Sequence, residues 1–406
     1  MEILYLAIVF ALLILLLALK RPLWQAMLGG ILATILLYRL PLSEVGAILW
    51  KSVSSASSLS MLLSIYLVGL LQKILDARGQ IRKAQSDLDG IFHNRRINAA
   101  GAALFVGLLP SAAAMLLACE VTREATDGYL KPEEQAFTAS WLRHVPESAL
   151  PTYTSVLLLL NLTGVPTAKF LLGMLFPLAV LIGIGCLRYL RRIPKAPQAA
   201  EEAEGDAPAP SRLQCAGRLF CHLWTLLLAV VLILAFNLSV TLALGITIVL
   251  AMLVYRVAPR EWGSMLKGAF HANMLLSTLL VLVLKEAIAS AGVLPLLPAA
   301  MQRLPLPGWL LFALLLFAAT VISGATGGIS LVVPLAVSAL GGGLPLCIYL
   351  ACICHAGSQV SPTHVCLAVA AENYGVSLGR LIRQTIPMVL LFCLLMTGYY
   401  LLLCLF

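Results

Sequence analysis

The sequence predicts an all-α membrane protein made of two inverted repeats, each with five full spans, a re-entrant helical hairpin and a helix broken at mid-membrane. Composition is the first observation behind this reading. Of 406 residues, 61% are hydrophobic and only 11% are charged, and the mean hydropathy is +0.98. A soluble chain carries about 25% charged residues, so this one has too few to cover a water-facing surface. Apolar runs are the second observation. Stretches of about 17–25 apolar residues, the length that crosses a hydrocarbon core of roughly 30 Å, recur along the whole chain. The third is internal repetition: two separate strings of the first half return, in the same order, in the second.

Taken in order, apolar runs predict spans at 3–20, 22–39 and 57–76. The first lacks a basic leader and an A-x-A cleavage site, and Lys20-Arg21-Pro22 follows it, so it is read as a retained span. A basic stretch from Asp76 to Arg96 comes next. The apolar segment 97–126 then carries Pro110-Ser111 near its centre. If it crossed the membrane fully, basic loops would fall on both sides, so it is read as a hairpin that enters and leaves on one face. The following span, 134–163, is interrupted by VPESALP (Val145 to Pro151), and another runs over 167–190.

These elements make repeat one, residues 1–190. An Ala/Pro-rich linker with Glu201, Glu202, Glu204 and Asp206 covers 191–213, and its composition is that of an exposed tether. Repeat two covers 214–406, with a hairpin at 308–340 and a broken helix at 345–372.

The repeat rests on particular residues. HVPESALPT (His144 to Thr152) matches HAGSQVSPT (His355 to Thr363), and the same offset superposes Gly164-Val165 on Gly375-Val376. Upstream, YRLPLSEVGAIL (Tyr38 to Leu49) matches YRVAPREWGSML (Tyr255 to Leu266). An odd number of spans per half makes the repeats inverted. With both termini outside and the linker inside, the cytoplasmic loops collect most of the 27 Lys and Arg residues. Arg78, Lys83, Arg96, Arg188, Arg191, Arg256, Arg260 and Arg380 are among them, whereas Arg39, Lys51, Lys169 and Arg303 fall outside. The net charge of +9 therefore reports orientation in a bilayer, and no nucleic-acid partner is expected. The ten cysteines include no CxxC pair and sit in apolar stretches, so they are read as packing residues with no metal or cofactor role.

Chemistry is expected where helices break at membrane depth. Such breaks leave backbone groups unpaired, which is tolerated only in buried protein or beside water. Transporters use them because half-helix N-termini attract anions and freed carbonyls hold cations. The first broken helix offers Arg143, His144, Glu147, Ser148 and Thr152. Ionisable groups inside a membrane cost roughly 2.5 kcal/mol or more each, so three within five positions argue for a task. Arg143 or His144 would take an anion and Glu147 a coupling cation or proton. The plainer alternative is that Arg143 and Glu147, one turn apart, only neutralise each other.

The second broken helix offers His355, Ser358, Gln359, Ser361, Thr363 and His364 but no carboxylate, which makes the repeats functionally asymmetric. Its histidines could equally be polar residues satisfied within the bundle. At the second hairpin tip, SGATGGIS supplies Ser323, Gly324, Thr326 and Gly327. Glycines allow close backbone approach and hydroxyls bond a ligand, although small residues also serve helix packing. Ser111 is the one hydroxyl at the first tip.

In architecture the whole chain resembles the ion transporter superfamily, which includes gluconate permeases, C4-dicarboxylate carriers, divalent-anion/sodium symporters and sodium/proton antiporters. The string SQVSPTHVCLAVAAENYG (Ser358 to Gly375) resembles an uncharacterised membrane family related to the gluconate permeases. The resemblance implies an elevator: hairpins and broken helices form a mobile unit, and the other spans form a scaffold that dimerises. It also implies that Ser111, Ser323 to Gly327, Glu147 to Thr152 and Ser358 to Thr363 line the site. The symporters carry an Asn between Ser and Thr at each tip, and Pro110-Ser111-Ala112 and Ser323-Gly324-Ala325-Thr326 lack it. Proton coupling through Glu147, His144 or His355 therefore stands beside sodium coupling.

The expectation is a secondary transporter for a small organic anion in the cell membrane, with H+ or Na+ as coupling ion and no cofactor. The alternative is a cation/proton antiporter on the same fold. An enzyme is not expected, since the chain has no HExxH, no GxSxG and no aspartate pair within a span.

Overall fold

A computed structural model describes residues 1–19, 21–80, 83, 87, 94–108, 113–194, 211–296, 299 and 305–405. The described residues are helical and contain no strand. Five helices are long and apolar enough to cross a membrane: Ala56–Ala77, Leu213–Leu234, Ala272–Ser290, Gly308–Leu340 and Leu378–Leu403. The chain is a multi-pass membrane protein. Polarity is distributed accordingly. Leu36, Leu390 and Leu394 lie on the outside, while Arg143, His144, His355 and Gln359 are buried. Hydroxyls inside helices turn back on their own backbone, as Thr34, Ser52, Thr247 and Thr385 do by donating to the carbonyl four residues earlier. Each of these four hydroxyls is therefore satisfied within its own helix.

The first half contains α1 Glu2–Ala18, α2 Leu23–Leu37, α3 Leu42–Ser54, α4 Ala56–Ala77, α5 Arg95–Val106, α6 Ala113–Thr126, α7 Pro132–His144, α8 Thr154–Thr163, α9 Thr167–Gly173 and α10 Leu175–Arg188. The second contains α11 Arg212–Leu234, α12 Val240–Val254, α13 Pro259–Ala269, α14 Ala272–Ser290, α15 Gly308–Leu340, α16 Leu344–Ser358, α17 Val365–Asn373 and α18 Leu378–Leu403. The two halves run in the same order of elements. Matching turns share rare backbone: Arg39 and Arg256 both have positive φ (52° and 48°), as do Gly164 and Gly375 (68° and 65°). Sequence reading missed α3 and α13, which are amphipathic, too short to span, and carry Glu44 and Glu261 in their first turns.

Contacts sort the helices into two groups. In one, α4 packs on α12, α13 and α14, and α14 packs on α2 and α3. In the other, α15 packs on α16 and α8, α5 on α6 and α7, and α18 on α7 and α16. The groups meet where α1 touches α15 and α4 touches α8.

α15 is two antiparallel arms joined at Gly324 (φ 77°, ψ 173°), a conformation open essentially to glycine alone. The arms press together: a Cβ on Gly328 would lie 2.9 Å from the Thr320 backbone nitrogen, eight residues away, a contact impossible in a straight helix. α5 and α6 pack in the same way, but their tip, with Pro110 and Ser111, lies outside the described residues. The first broken helix is α7, a short 3-10 turn over Pro146–Ser148, and α8; the second is α16 and α17, separated by residues 359–364. The span expected at 167–190 is itself split into α9 and α10, and α8 meets α9 at 112° across Gly164-Val165-Pro166. Proline forces the residue before it out of helical backbone and cannot continue the helix, so the bend falls there.

Candidate functional site

Three helices begin at one place. α8 starts at Thr154, the second arm of α15 starts after Gly324, and α17 starts at Val365. Their first turns line a cavity of about 840 Å³ through Tyr153, Thr154, Ser155, Ala325, Thr326, Gly327, His364 and Cys366. First-turn N–H groups have no carbonyl acceptor within their own helix, and each N-terminus carries roughly half a positive charge. Such an end is a ready anion site, and here three converge.

Arg143 adds a full charge. It lies in the last turn of α7, is only 2% exposed, and its Nη1 lies 3.2 Å from Glu147 Oε2. Glu147 follows one turn later, in the 3-10 turn, and is 15% exposed toward the cavity. The break exists because Pro146 supplies no N–H to continue α7 and Pro151 blocks re-entry. Ser148 and Tyr153 close the loop internally. Ser148 Oγ donates to the Val145 carbonyl (2.7 Å), and Tyr153 Oη donates to the Gly107 carbonyl of the first hairpin (2.6 Å).

His144 bridges toward the other half of the chain, with Glu147 Oε2 3.8 Å from its Nε2. Its Nδ1 donates to the Ser140 carbonyl (2.6 Å), and its Nε2 lies 2.9 Å from His364 Nε2. The two broken helices thus touch through their histidines, 220 positions apart. The Cys366 thiol lies in the same group: ligand atoms of His144, His364 and Cys366 are all within 4.8 Å of one another.

Of the residues singled out from sequence, Arg143, Glu147, Thr152, Ser323, Gly324, Thr326, Gly327 and His364 line the large cavity together. Thr152 Oγ1 is buried there with no hydrogen-bond partner. Ser148, His355 and Ser358 line instead a small neighbouring void of about 20 Å³ that shares Glu147 and Ala325. His144, Gln359, Ser361 and Thr363 line neither. Gln359 amide nitrogen bonds His355 Nε2 (3.2 Å), and Ser361 donates to the Val321 carbonyl (2.8 Å), pinning the second break to the hairpin. Thr363 is exposed and bonds Ser361 (2.8 Å). Ser111 lies outside the described residues.

Sequence reasoning missed the cavity's far wall, formed by Gln72 of α4 and by His271 and Asn273 at the junction of α13 and α14. The polar interruption FHANM (Phe270 to Met274) between two apolar stretches was its only signal. It also missed Cys366, which one residue alone separates from His364.

No curated protein matches the chain. A family described as "Protein of unknown function (DUF401)" matches residues 3–403, nearly the whole sequence, and the chain belongs to that family.

Proposed function

We propose that this protein is a secondary active transporter that carries a small organic anion, a carboxylate or sugar acid, across the cell membrane. The convergence of three helix N-termini with Arg143 in one cavity carries this reading, because it concentrates positive potential where irregular backbone admits water. The volume, about 840 Å³, suits a small solute with its water.

An elevator is the motion this architecture supports. The cavity lies between the two helix groups, with Gln72 and His271 on one side and Arg143 and Gly324 on the other. Sliding one group past the other would carry the site across the membrane. The first group is then the scaffold and supplies the dimer surface. Inverted repeats are supported by α3 and α13, the matching amphipathic helices. α3 leads directly into the N-terminal end of α4, whereas Glu261 of α13 pairs with Arg78 at the C-terminal end of α4. Helices in equivalent positions thus lie at opposite ends of one span. In this reading both termini lie outside, and the segment 191–213 lies in the cytoplasm with Arg78 and Arg260. The kinship with gluconate permeases is part of the same proposal.

Purified protein in liposomes, tested for gradient-driven flux of a panel of carboxylates and sugar acids, decides the matter. Saturable uptake of one class is expected. Folded protein with neither flux nor substrate-induced thermal shift overturns it.

A second reading is a cation/proton antiporter. Glu147 is the acid lining the cavity among the described residues, and it could exchange a proton for Na+. Proton movement driven by a sodium gradient, with no organic solute present, favours this reading.

A further inference from the structure

We infer that His144, His364 and Cys366 form a binding site for a borderline-soft divalent metal ion of the Zn2+ class, with one coordination position open to the cavity. The inference does not depend on which solute the cavity carries.

The donor set is the first argument. Two imidazoles and a thiolate suit Zn2+ and disfavour Mg2+ or Ca2+, which take oxygen ligands. Three protein ligands with a fourth position open is the pattern of zinc sites that bind water or substrate. Distance is the second. Bonds of about 2.0–2.3 Å at tetrahedral angles put ligand atoms about 3.3–3.8 Å apart. Here they lie within 4.8 Å of one another, and the two Nε2 atoms are 2.9 Å apart. Small side-chain shifts in either direction close the set on an ion.

Orientation is the third argument. His144 Nδ1 is held 2.6 Å from the Ser140 carbonyl, so its hydrogen sits on Nδ1 and its Nε2 lone pair points at His364. A backbone carbonyl on the remote ring nitrogen is how metal-binding histidines are commonly oriented. Between the facing rings, one hydrogen must then come from His364 Nε2. On metal binding that proton moves to His364 Nδ1 through solvent, Cys366 loses its thiol proton to water, and the ion takes both Nε2 lone pairs and the sulfur. One proton is released per ion.

Charge and access are the fourth argument. Arg143 would oppose a cation, but Glu147 neutralises it at 3.2 Å and reaches within 3.8 Å of His144 Nε2. His364 and Cys366 both line the large cavity, so an ion enters without unfolding anything.

The test uses full-length protein in detergent, stripped with chelator, in a background where the exposed Cys221 and Cys404 are replaced by Ala. CoCl2 and ZnCl2 are the probes. One Co2+ per chain is expected, with a thiolate-to-cobalt charge-transfer band and tetrahedral visible bands, both displaced by Zn2+. Cys366→Ser should lose the charge-transfer band. Since removing even a supporting partner costs about 10–100-fold in affinity, His364→Ala should weaken Zn2+ binding at least that much. His355→Ala, outside the trio, should change neither. Thermal unfolding without metal shows whether each variant is folded, and Zn2+ should raise the midpoint of the parent but not of Cys366→Ser. Absence of Co2+ binding by the folded parent overturns the inference. So does a charge-transfer band that survives Cys366→Ser.

Discussion

Arg78 holds Glu261 with both ends of its guanidinium: Nη1 lies 3.1 Å from Oε1 and Nη2 lies 2.9 Å from Oε2. The pair ties the end of α4 to the start of α13, which belong to different halves of the chain. Its two parallel bonds match the planar fork of arginine to the carboxylate, a geometry lysine cannot reproduce.

That pair sets a pH dependence. The Arg78 hydrogen bonds, followed by the Ala258 N–H, hold the Glu261 carboxyl down at about 2, against an ordinary 4.5. The folded-state value is the lower one, so the pair stabilises the fold above pH 4.5, and that stabilisation fades as pH falls toward about 2. Thermal unfolding midpoints of Glu261→Gln in detergent should therefore be flatter than the parent's across this window, and the two should converge at its acid end. Parallel curves would show that the pair contributes nothing to stability.

Arg143 and Glu147 should separate binding from coupling. Arg143→Ala removes the charge nearest the converging helix ends. Hydrogen bonds to charged groups contribute about 1.5–3 kcal/mol, so apparent affinity for the anion should fall roughly tenfold or more. Glu147→Gln keeps the shape and an oxygen facing Arg143. Exchange of solute with solute should persist in this variant, whereas flux driven by a proton gradient should disappear and the pH profile flatten. Wild-type gradient-driven flux in Glu147→Gln would reduce Glu147 to a partner that neutralises Arg143.

Gly324 is the turn of the second hairpin. A Cβ there meets no atom within 4 Å, so the cost of Gly324→Ala is backbone strain alone. Residues forced into such sparsely populated conformations cost about 1–3 kcal/mol each. The unfolding midpoint should drop, and anion binding should weaken with it, because the start of the second arm shifts. A variant with unchanged stability and binding would mean that the turn relaxes at no cost.

Gly328 makes the complementary test of the hairpin's two arms. Gly328→Ala drives a methyl group against Thr320, and overpacking of this kind typically costs about 1–3 kcal/mol. Gly245→Ala, on α12, meets nothing within 4 Å and is the control. Only the first should lower the unfolding midpoint. Equal effects would indicate that the arms are not pressed together.

Much of the fold was legible because a bilayer imposes simple rules on sequence. Span length is dictated by hydrocarbon thickness, and breaks must be marked by proline, glycine or polar residues. VPESALP, SGATGGIS and the stretch around Pro362 are such marks, and each falls at a helix break. The short helices α3 and α13 are not legible from apolar runs because an amphipathic stretch of 11 or 13 residues has no long apolar run.

By itself the sequence determined a multi-pass helical protein and the helix breaks at VPESALP, at SGATGGIS and around Pro362, since all of these follow from local runs of residue types. It also located Arg143 and Glu147 within one turn of each other. Only tertiary structure decided which residues share a cavity. Ser361 and Thr363 lie in the second break as His364 does, yet the turn after α16 points Ser361 at the Val321 carbonyl and leaves Thr363 exposed, while His364 reaches the cavity. His144 and His364 meet across 220 positions, and Cys366 joins them. Nothing local encodes such a meeting. It depends on how two broken helices from different halves pack, a property of the whole bundle that no stretch of sequence carries alone.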